Sequence, residues 1–229
     1  MFRDIFCKNN RFLKDRHPFT ICKAADLCSL KTLDFNLATH NPAAADFVAF
    51  VKHQVQCVVK DIFILMQGKE DKIGHSFFTL HYKNNIKTLL SEIKNELKTN
   101  KIDIFCGAFF GVKNLQELAL TSLNLQTKMI KGAYQMTMPG IDTQILGMLM
   151  SQAGFGDPSV LNLSYQLQFT SFKKMLSFTR ELGGPVCVQG GFAKGVLPKS
   201  FFYNLEKEYI EKYKKLCITL DVNCFIAVV

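Results

Sequence analysis

The segment NIKTLLSEIKNELKTNKIDIFC, residues 85–106, decides how the rest of the chain is interpreted. Its apolar residues recur at i, i+3, i+4, i+7 and i+11, the spacing of one helix face: Ile86, Leu89, Leu90, Ile93 and Leu97. Asn84 or Asn85 is the expected cap of this helix. KIDIFC (101–106) then reads as a short buried strand, so the segment predicts a helix that leads directly into a sheet.

The flanking segments supply more elements of both kinds. Upstream, VQCVVKDIFILM (55–66) and KIGHSFFTLHY (72–82) are β-branched and aromatic, and the turn residues between them predict a β-hairpin over 55–82. Downstream, VKNLQELALTSLNLQTKM (112–129) has a helical pattern. Strand, strand, helix, strand, helix predicts an α+β mixed fold: a mixed sheet containing a hairpin, with amphipathic helices packed on it.

The second half of the chain continues this alternation. Its pattern predicts three helices, over 142–153, 170–182 and 201–216, and two strands, over 161–169 and 217–229. The composition offers one place for a domain boundary, near 132–139, but the absence of repeats and linkers favours a single globular domain over 1–229.

Composition excludes several classes of protein. The chain has 229 residues, 48% of them hydrophobic, which is enough to bury a sizeable core. Its eight cysteines form no C-x-x-C pair, which argues against a zinc ribbon or a disulfide scaffold. The N-terminal residues contain no apolar signal-peptide core, and no window is long enough to span a membrane. We therefore expect a reducing, cytoplasmic environment, or the host cytoplasm or nucleus if the Asn-, Lys- and Phe-rich chain is viral.

No cofactor is predicted. The stretch GGFAKGVLPKS (190–200) is rich in glycine, but it has neither the G-x-x-x-x-G-K-[ST] nor the G-x-G-x-x-G spacing that converges backbone N–H groups on a phosphate. A loop that ends the preceding helix is the better interpretation of residues 183–198. Metal binding is also not predicted, because no ligand spacing recurs.

The candidate catalytic pair is Cys57 with His75. In the predicted hairpin the two residues lie on adjacent strands, and a thiol beside an imidazole can form the thiolate–imidazolium pair of a cysteine hydrolase. Period-2 alternation would place Thr79 and His81 on the face of His75, so Thr79 is the candidate third, orienting group, with His81 as the other choice. The alternative is that Cys57 and His75 are core residues.

The same segment resembles a known group of folds. A Cys on one strand, a His 18 residues later, the helix IKTLLSEIKNELK and the strand IDIFCGAFFG resemble the CheD-type chemoreceptor glutamine deamidases, the cytotoxic necrotizing factors and the laccase-domain (YfiH-like) proteins, over roughly residues 55–111. The sequence departs from the deamidases before Cys57, where HQVQ replaces a Gly-Ser turn. The resemblance implies a side-chain amidase or deamidase in which Cys57 is the nucleophile and His75 the base.

A second class of function stays open, a non-catalytic basic interaction protein. The net charge is +9, from 28 Lys and Arg against 19 Asp and Glu, which suits an acidic protein or nucleic acid as partner, and an oligomer is compatible with either class. The excess is spread along the chain, which is more typical of solubility than of a binding groove. The candidate face on the last helix comprises Lys207, Tyr209, Lys212, Tyr213, Lys214 and Lys215. Its two tyrosines, at i and i+4, could stack on bases, but packing against the protein is the more usual role of such a pair.

Overall fold

A computed structural model describes residues 20–23, 72–78, 80, 85–129, 137, 140–181 and 199–229. Within them, five strands and five helices alternate along the chain. The strands are β1 (Thr20–Lys23), β2 (Lys72–Phe77), β3 (Ile104–Phe110), β4 (Gly156–Gln168) and β5 (Cys217–Val228). The helices are α1 (Ile86–Thr99), α2 (Gln116–Met129), α3 (Thr143–Gln152), α4 (Phe172–Glu181) and α5 (Lys199–Tyr213). All five helices and the strands β3 and β5 agree with the sequence prediction to within about four residues. Strand β4 was predicted over 161–169 and begins five residues earlier, at Gly156.

The helix of the opening segment forms as predicted. The side chain of Asn85 caps α1 by accepting the N–H of Thr88 at 3.3 Å, and Leu89, Leu90, Ile93 and Leu97 are its buried face. The helix ends where Lys101 adopts a left-handed φ of 55° and Ile102 N–H reaches back to the carbonyl of Leu97 at 3.0 Å. Because α1 carries the chain from β2 back to the start of β3, these two strands run parallel.

The sheet is mixed, as predicted, with strand order β1-β2-β3-β5-β4. Only β2 and β3 are parallel; the β1–β2, β3–β5 and β5–β4 pairs are antiparallel. β2 does not form the predicted hairpin with residues 55–66. Both of its edges are already paired, one with β1 along residues 72–75 and the other with β3. The first half of that hairpin, residues 55–66, lies outside the described residues.

Two apolar clusters lie on opposite faces of the sheet. The first contains buried residues of α1 and α3 with Phe105, Phe109 and Phe225. The second contains buried residues of α2, α4 and α5 with Cys106, Val222 and Cys224. Since alternate residues of β3 and β5 enter opposite clusters, both strands are covered on both sides, whereas β4 at the end of the sheet is largely exposed or half-buried.

The segment after β3 continues the edge of β5. Gly111 N–H donates to the carbonyl of Asp221 at 2.8 Å, and Leu115 N–H donates to that of Thr219 at 2.7 Å. Next to the second of these bonds, the buried carboxylate of Glu117 accepts the Thr219 N–H at 3.0 Å and its hydroxyl at 2.5 Å. The Glu117 carboxylate thus accepts the backbone hydrogen bond of β5 that a neighbouring strand would otherwise accept at this point.

We expect Glu117→Ala to lower the free energy of unfolding by about 2 kcal/mol, because it leaves the buried N–H and hydroxyl of Thr219 without their acceptor. The matched control is Glu208→Ala, which removes only a surface ion pair to Lys128 (2.9 Å) and should cost less than about 1 kcal/mol. Urea denaturation of both variants measures the difference. An equal decrease in the free energy of unfolding in the two variants would contradict a structural role for the Glu117 carboxylate.

Candidate functional site

His75 lies in the middle of β2, and its side chain is buried on one face of the sheet. The residue is 6% exposed, and its ring contacts that of Phe77 at a centroid distance of 5.4 Å. Its Nε2 is buried and has no hydrogen-bond partner among the described residues. Burial lowers the pKa of His75 to about 4, because the charged imidazolium would lose its hydration. At neutral pH the ring is therefore uncharged, with one nitrogen available as an acceptor.

The neighbours of His75 are set by strand register. Cys106 of β3 pairs with it directly, so the two side chains share one face of the sheet. Cys224 follows on β5, opposite Ala108, and burial raises the pKa of its thiol to about 12. Within the described ranges, no three His, Cys, Asp or Glu side chains are grouped so that they could hold a metal ion. The residues that do surround His75 are thus mainly apolar.

The other two members of the predicted triad, Cys57 and Thr79, lie outside the described residues, as does His81. The reason for choosing Thr79 does not hold, however. The strand ends at Phe77, and Phe78 adopts a left-handed φ of 53° and packs its ring on Phe110 at 4.5 Å, in the same apolar cluster as Cys106. Period-2 alternation therefore stops before Thr79, and strand geometry no longer places this residue on the face of His75.

The predicted thiolate–imidazolium pair is also not supported by the surroundings of His75. An imidazolium here would be buried against Phe77 with no described counter-charge, which is why its pKa is lowered. The neutral imidazole is the stable form, so a proton is favoured on it only when a negative charge develops close by.

The residues of the predicted basic face on α5 do not share one environment, because the tyrosines are packed against the protein and the lysines are exposed. The sequence left two roles open for Tyr209, stacking on bases and packing, and the structure shows packing. Its side chain is fully buried, and its hydroxyl donates to the carbonyl of Cys217. Burial, with the nearby charge of Glu117, raises the pKa of Tyr209. Tyr213 is half-buried and packs on Tyr209 at 4.9 Å between ring centroids. Both rings belong to the core packing of α5.

The lysines of that face are exposed: Lys207, Lys212, Lys214 and Lys215. Three glutamates alternate with them on the same helix, at positions 206, 208 and 211, so the surface is nearly balanced in charge. Such alternation is typical of a solvated helix, and an anion-binding face usually concentrates one sign.

A second polar cluster, which sequence reasoning missed, lies at the end of β3. The carboxylate of Asp221 accepts the N–H of Lys113 at 2.8 Å and the amide of Asn162 at 2.7 Å. Asn223 accepts from the same Asn162 amide at 2.8 Å and donates to the carbonyl of Ile141 at 2.7 Å. The sequence does contain a signal for this cluster: in LDVNC (220–224), Asp221 and Asn223 alternate with apolar residues inside an apolar strand. Because these groups satisfy one another, they hold β4 and the start of α3 on β5.

Asn114, close to this cluster in sequence, is different. It is 4% exposed, and neither polar atom of its side chain has a hydrogen-bond partner in the described part of the chain. With His75 it is one of two residues there that bury an unpartnered polar side-chain atom. Such groups are rare in folded proteins, because burial without a partner costs free energy.

Comparison with known proteins adds little to this geometry. No protein-family model matches the chain, and no curated protein matches it. Among solved structures, the chain is similar to a Bacillus halodurans C-125 protein described as a candidate methyltransferase, with 9% identity, a TM-score of 0.39 and 68% of each chain covered. A likeness of this degree does not extend that activity to this chain.

No helix in the described residues has both the length and the apolar character needed to cross a bilayer.

Proposed function

We propose that the protein is a cysteine-dependent hydrolase of side-chain amides, in which His75 is the general base and Cys57 the nucleophile. The observation that carries the proposal is the unpartnered Nε2 of His75, a neutral acceptor on a sheet strand that no described residue uses. The sequence resemblance to glutamine deamidases contributes the nucleophile and the class of substrate.

The chemistry begins with proton transfer. As the sulfur of Cys57 attacks the carbonyl carbon of a carboxamide, its proton passes to Nε2 of His75, and a C–S bond forms. The negative charge that develops on the substrate oxygen is held by backbone N–H groups near Cys57. That charge also offsets the cost of an imidazolium in an apolar setting.

Collapse of this adduct breaks the C–N bond. The imidazolium returns its proton to the leaving nitrogen, so ammonia departs and a thioester remains on Cys57. Water then attacks the thioester with neutral His75 again as base, giving a carboxylic acid and the free thiol. Thr79 is proposed as the group that orients the imidazole, although strand alternation, which ends at Phe77, does not place it there.

The test is the alkylation rate of each of the eight cysteines in the folded protein, measured peptide by peptide by mass spectrometry between about pH 5 and 9. We expect Cys57 to react fastest at neutral pH, because the neutral imidazole of His75 accepts the thiol proton as the sulfur attacks the alkylating agent. His75→Gln should reduce this rate at least tenfold, because glutamine keeps an acceptor but cannot take the proton. His75→Phe serves as a second variant that preserves the aromatic contact with Phe77.

Two controls keep the result interpretable. Cys106 is 4% exposed and lies directly opposite His75, so it should react only when the protein unfolds. Tyr203→Ala removes a side chain of α5 that is 71% exposed and should leave the rate of Cys57 unchanged. If Cys57 in the folded protein reacts no faster than the other cysteines, or is indifferent to both His75 variants, the hydrolase proposal is wrong and His75 is a core residue.

A further inference from the structure

Helix α1 separates its charges onto two flanks. Lys87, Lys94 and Lys98 recur at i, i+7 and i+11, so they lie on one flank of the helix. Glu92 and Glu96 lie about 160° around the helix from them, and the buried face of α1 comes between the two groups. The helix thus presents a positive flank about 16 Å long, in contrast to α5, where glutamates alternate with lysines.

The lysine flank of α1 faces α3. Lys94 is half-buried, and its Nζ lies beside Gly154, just after the end of α3, where an added Cβ would be 2.9 Å from it. The same Nζ lies 5.7 Å from the centre of the Phe155 ring, within range of a cation–π attraction. Partial burial and, next, the charge of Lys98 lower the pKa of Lys94. A carboxylate bound beside these two ammonium groups would offset their repulsion.

The neighbouring surface of α3 is apolar. This helix, TQILGMLMSQ, contains no charged residue, and it packs beside α1 over the same apolar cluster. An added Cβ at Gly147 would meet Val160 of β4, so Ile145, two positions earlier, lies on the opposite flank, toward α1. Ile145 and Met148 are 49% and 51% exposed. The α1–α3 groove therefore has lysines along one wall and exposed apolar side chains along the other wall and its rim.

We infer that the α1–α3 groove binds an acidic amphipathic helix of a partner protein, whose carboxylates meet the lysine flank of α1 and whose apolar residues cover Ile145 and Met148. Protein interfaces of this kind combine an apolar centre with complementary charges. A nucleic-acid duplex presents mainly phosphates and would leave the two apolar side chains uncovered. The inference is independent of the hydrolase proposal, because His75 shares the opposite face of the sheet with Cys106.

The first test is the binding of a fluorescent model peptide of about 16 residues, with glutamate on one face of a helix and leucine on the other, measured by anisotropy. We expect Lys87→Glu combined with Lys98→Glu to weaken binding at least tenfold. Both lysines are exposed, so the fold should be retained, and circular dichroism checks this. The matched control is Lys207→Glu with Lys214→Glu on α5, the same charge change at exposed positions, which should weaken binding less than about threefold. Equal weakening in the two double variants, or no binding of the wild type up to about 0.1 mM peptide, would overturn the inference.

The apolar wall distinguishes a protein partner from other polyanions. Ile145→Ser should weaken peptide binding about fivefold, because it removes apolar surface that the leucine face covers. It should leave binding to a DNA duplex of about 20 base pairs unchanged, since phosphate contacts do not use this side chain. Tighter binding of that duplex, or of vesicles containing phosphatidylserine, than of the peptide would assign the groove to nucleic acid or to a membrane surface and overturn the inference.

Discussion

Replacement of Gly107 by alanine should lower the free energy of unfolding by at least about 4 kcal/mol, which is a large fraction of the roughly 5–15 kcal/mol that stabilises a typical domain. Gly107 lies in the middle of β3, where a Cβ would fall well inside van der Waals contact with the backbone oxygen of Ser76 on β2. The same Cβ would be 2.7 Å from the ring of Phe225 on the other neighbouring strand. Since β2 and β5 flank it, β3 cannot shift away from one without crowding the other.

Gly147→Ala is the matched control for this prediction. Gly147 lies inside α3, and an added Cβ there meets only a methyl group of Val160 at 3.8 Å, an ordinary contact. Alanine is favoured over glycine in a helix interior, so this variant should be unchanged or more stable by up to about 1 kcal/mol. Denaturant unfolding followed by far-UV circular dichroism compares the two. Near-wild-type stability for Gly107→Ala would mean that β2 and β3 are not as closely paired as described.

Stability should fall as the pH is lowered from about 6.5 to 4, by about 3 kcal/mol, because of His75. In the unfolded chain the imidazole titrates near its ordinary value of 6.5, whereas burial lowers its pKa in the folded protein to about 4. Between these values the unfolded chain binds a proton that the folded chain does not, so acid favours unfolding. The contribution of His75 is fully present above the unfolded pKa and is lost below it.

The measurement is urea unfolding of the wild type and of His75→Leu at several pH values in this range. Leucine has no titrating group, so the stability difference between the two proteins should shift in favour of the variant as the pH falls. A constant difference would show that the pKa of His75 is the same in both states. A difference that shifts in favour of the wild type on acidification would mean that the folded pKa of His75 is raised, as in the thiolate–imidazolium pair expected from sequence, and would contradict the neutral base proposed above.

Local patterns determined much of the fold. The helical stripe of α1 and the apolar runs of β3 and β5 could be assigned because each reports on the burial of its own residues, and periodicity is a property of neighbouring positions. The position of His75 on a strand could be assigned for the same reason, from the pattern of its neighbouring residues. So does the mixed α+β class, which follows from the order of the elements.

Tertiary structure alone decided which strands pair. The hairpin prediction assumed that β2 pairs with the strand before it in sequence, but β1 from residues 20–23 takes that edge. Nothing local in TICK specifies that pairing, which depends on hydrogen bonds between segments about 50 residues apart. Phe78, with its left-handed backbone, likewise ended the alternation on which Thr79 was chosen.

The sequence by itself determined the residue types available for chemistry, including the thiols and the imidazole, and placed His75 in a strand. The fold decided their state: the surroundings of His75 make the imidazole neutral, and the packing of α5 buries the ring of Tyr209, for which the sequence left both packing and base stacking open. The physical reason is that burial and charge are set by residues distant in sequence. A side chain's pKa and accessibility therefore cannot be obtained from its own segment.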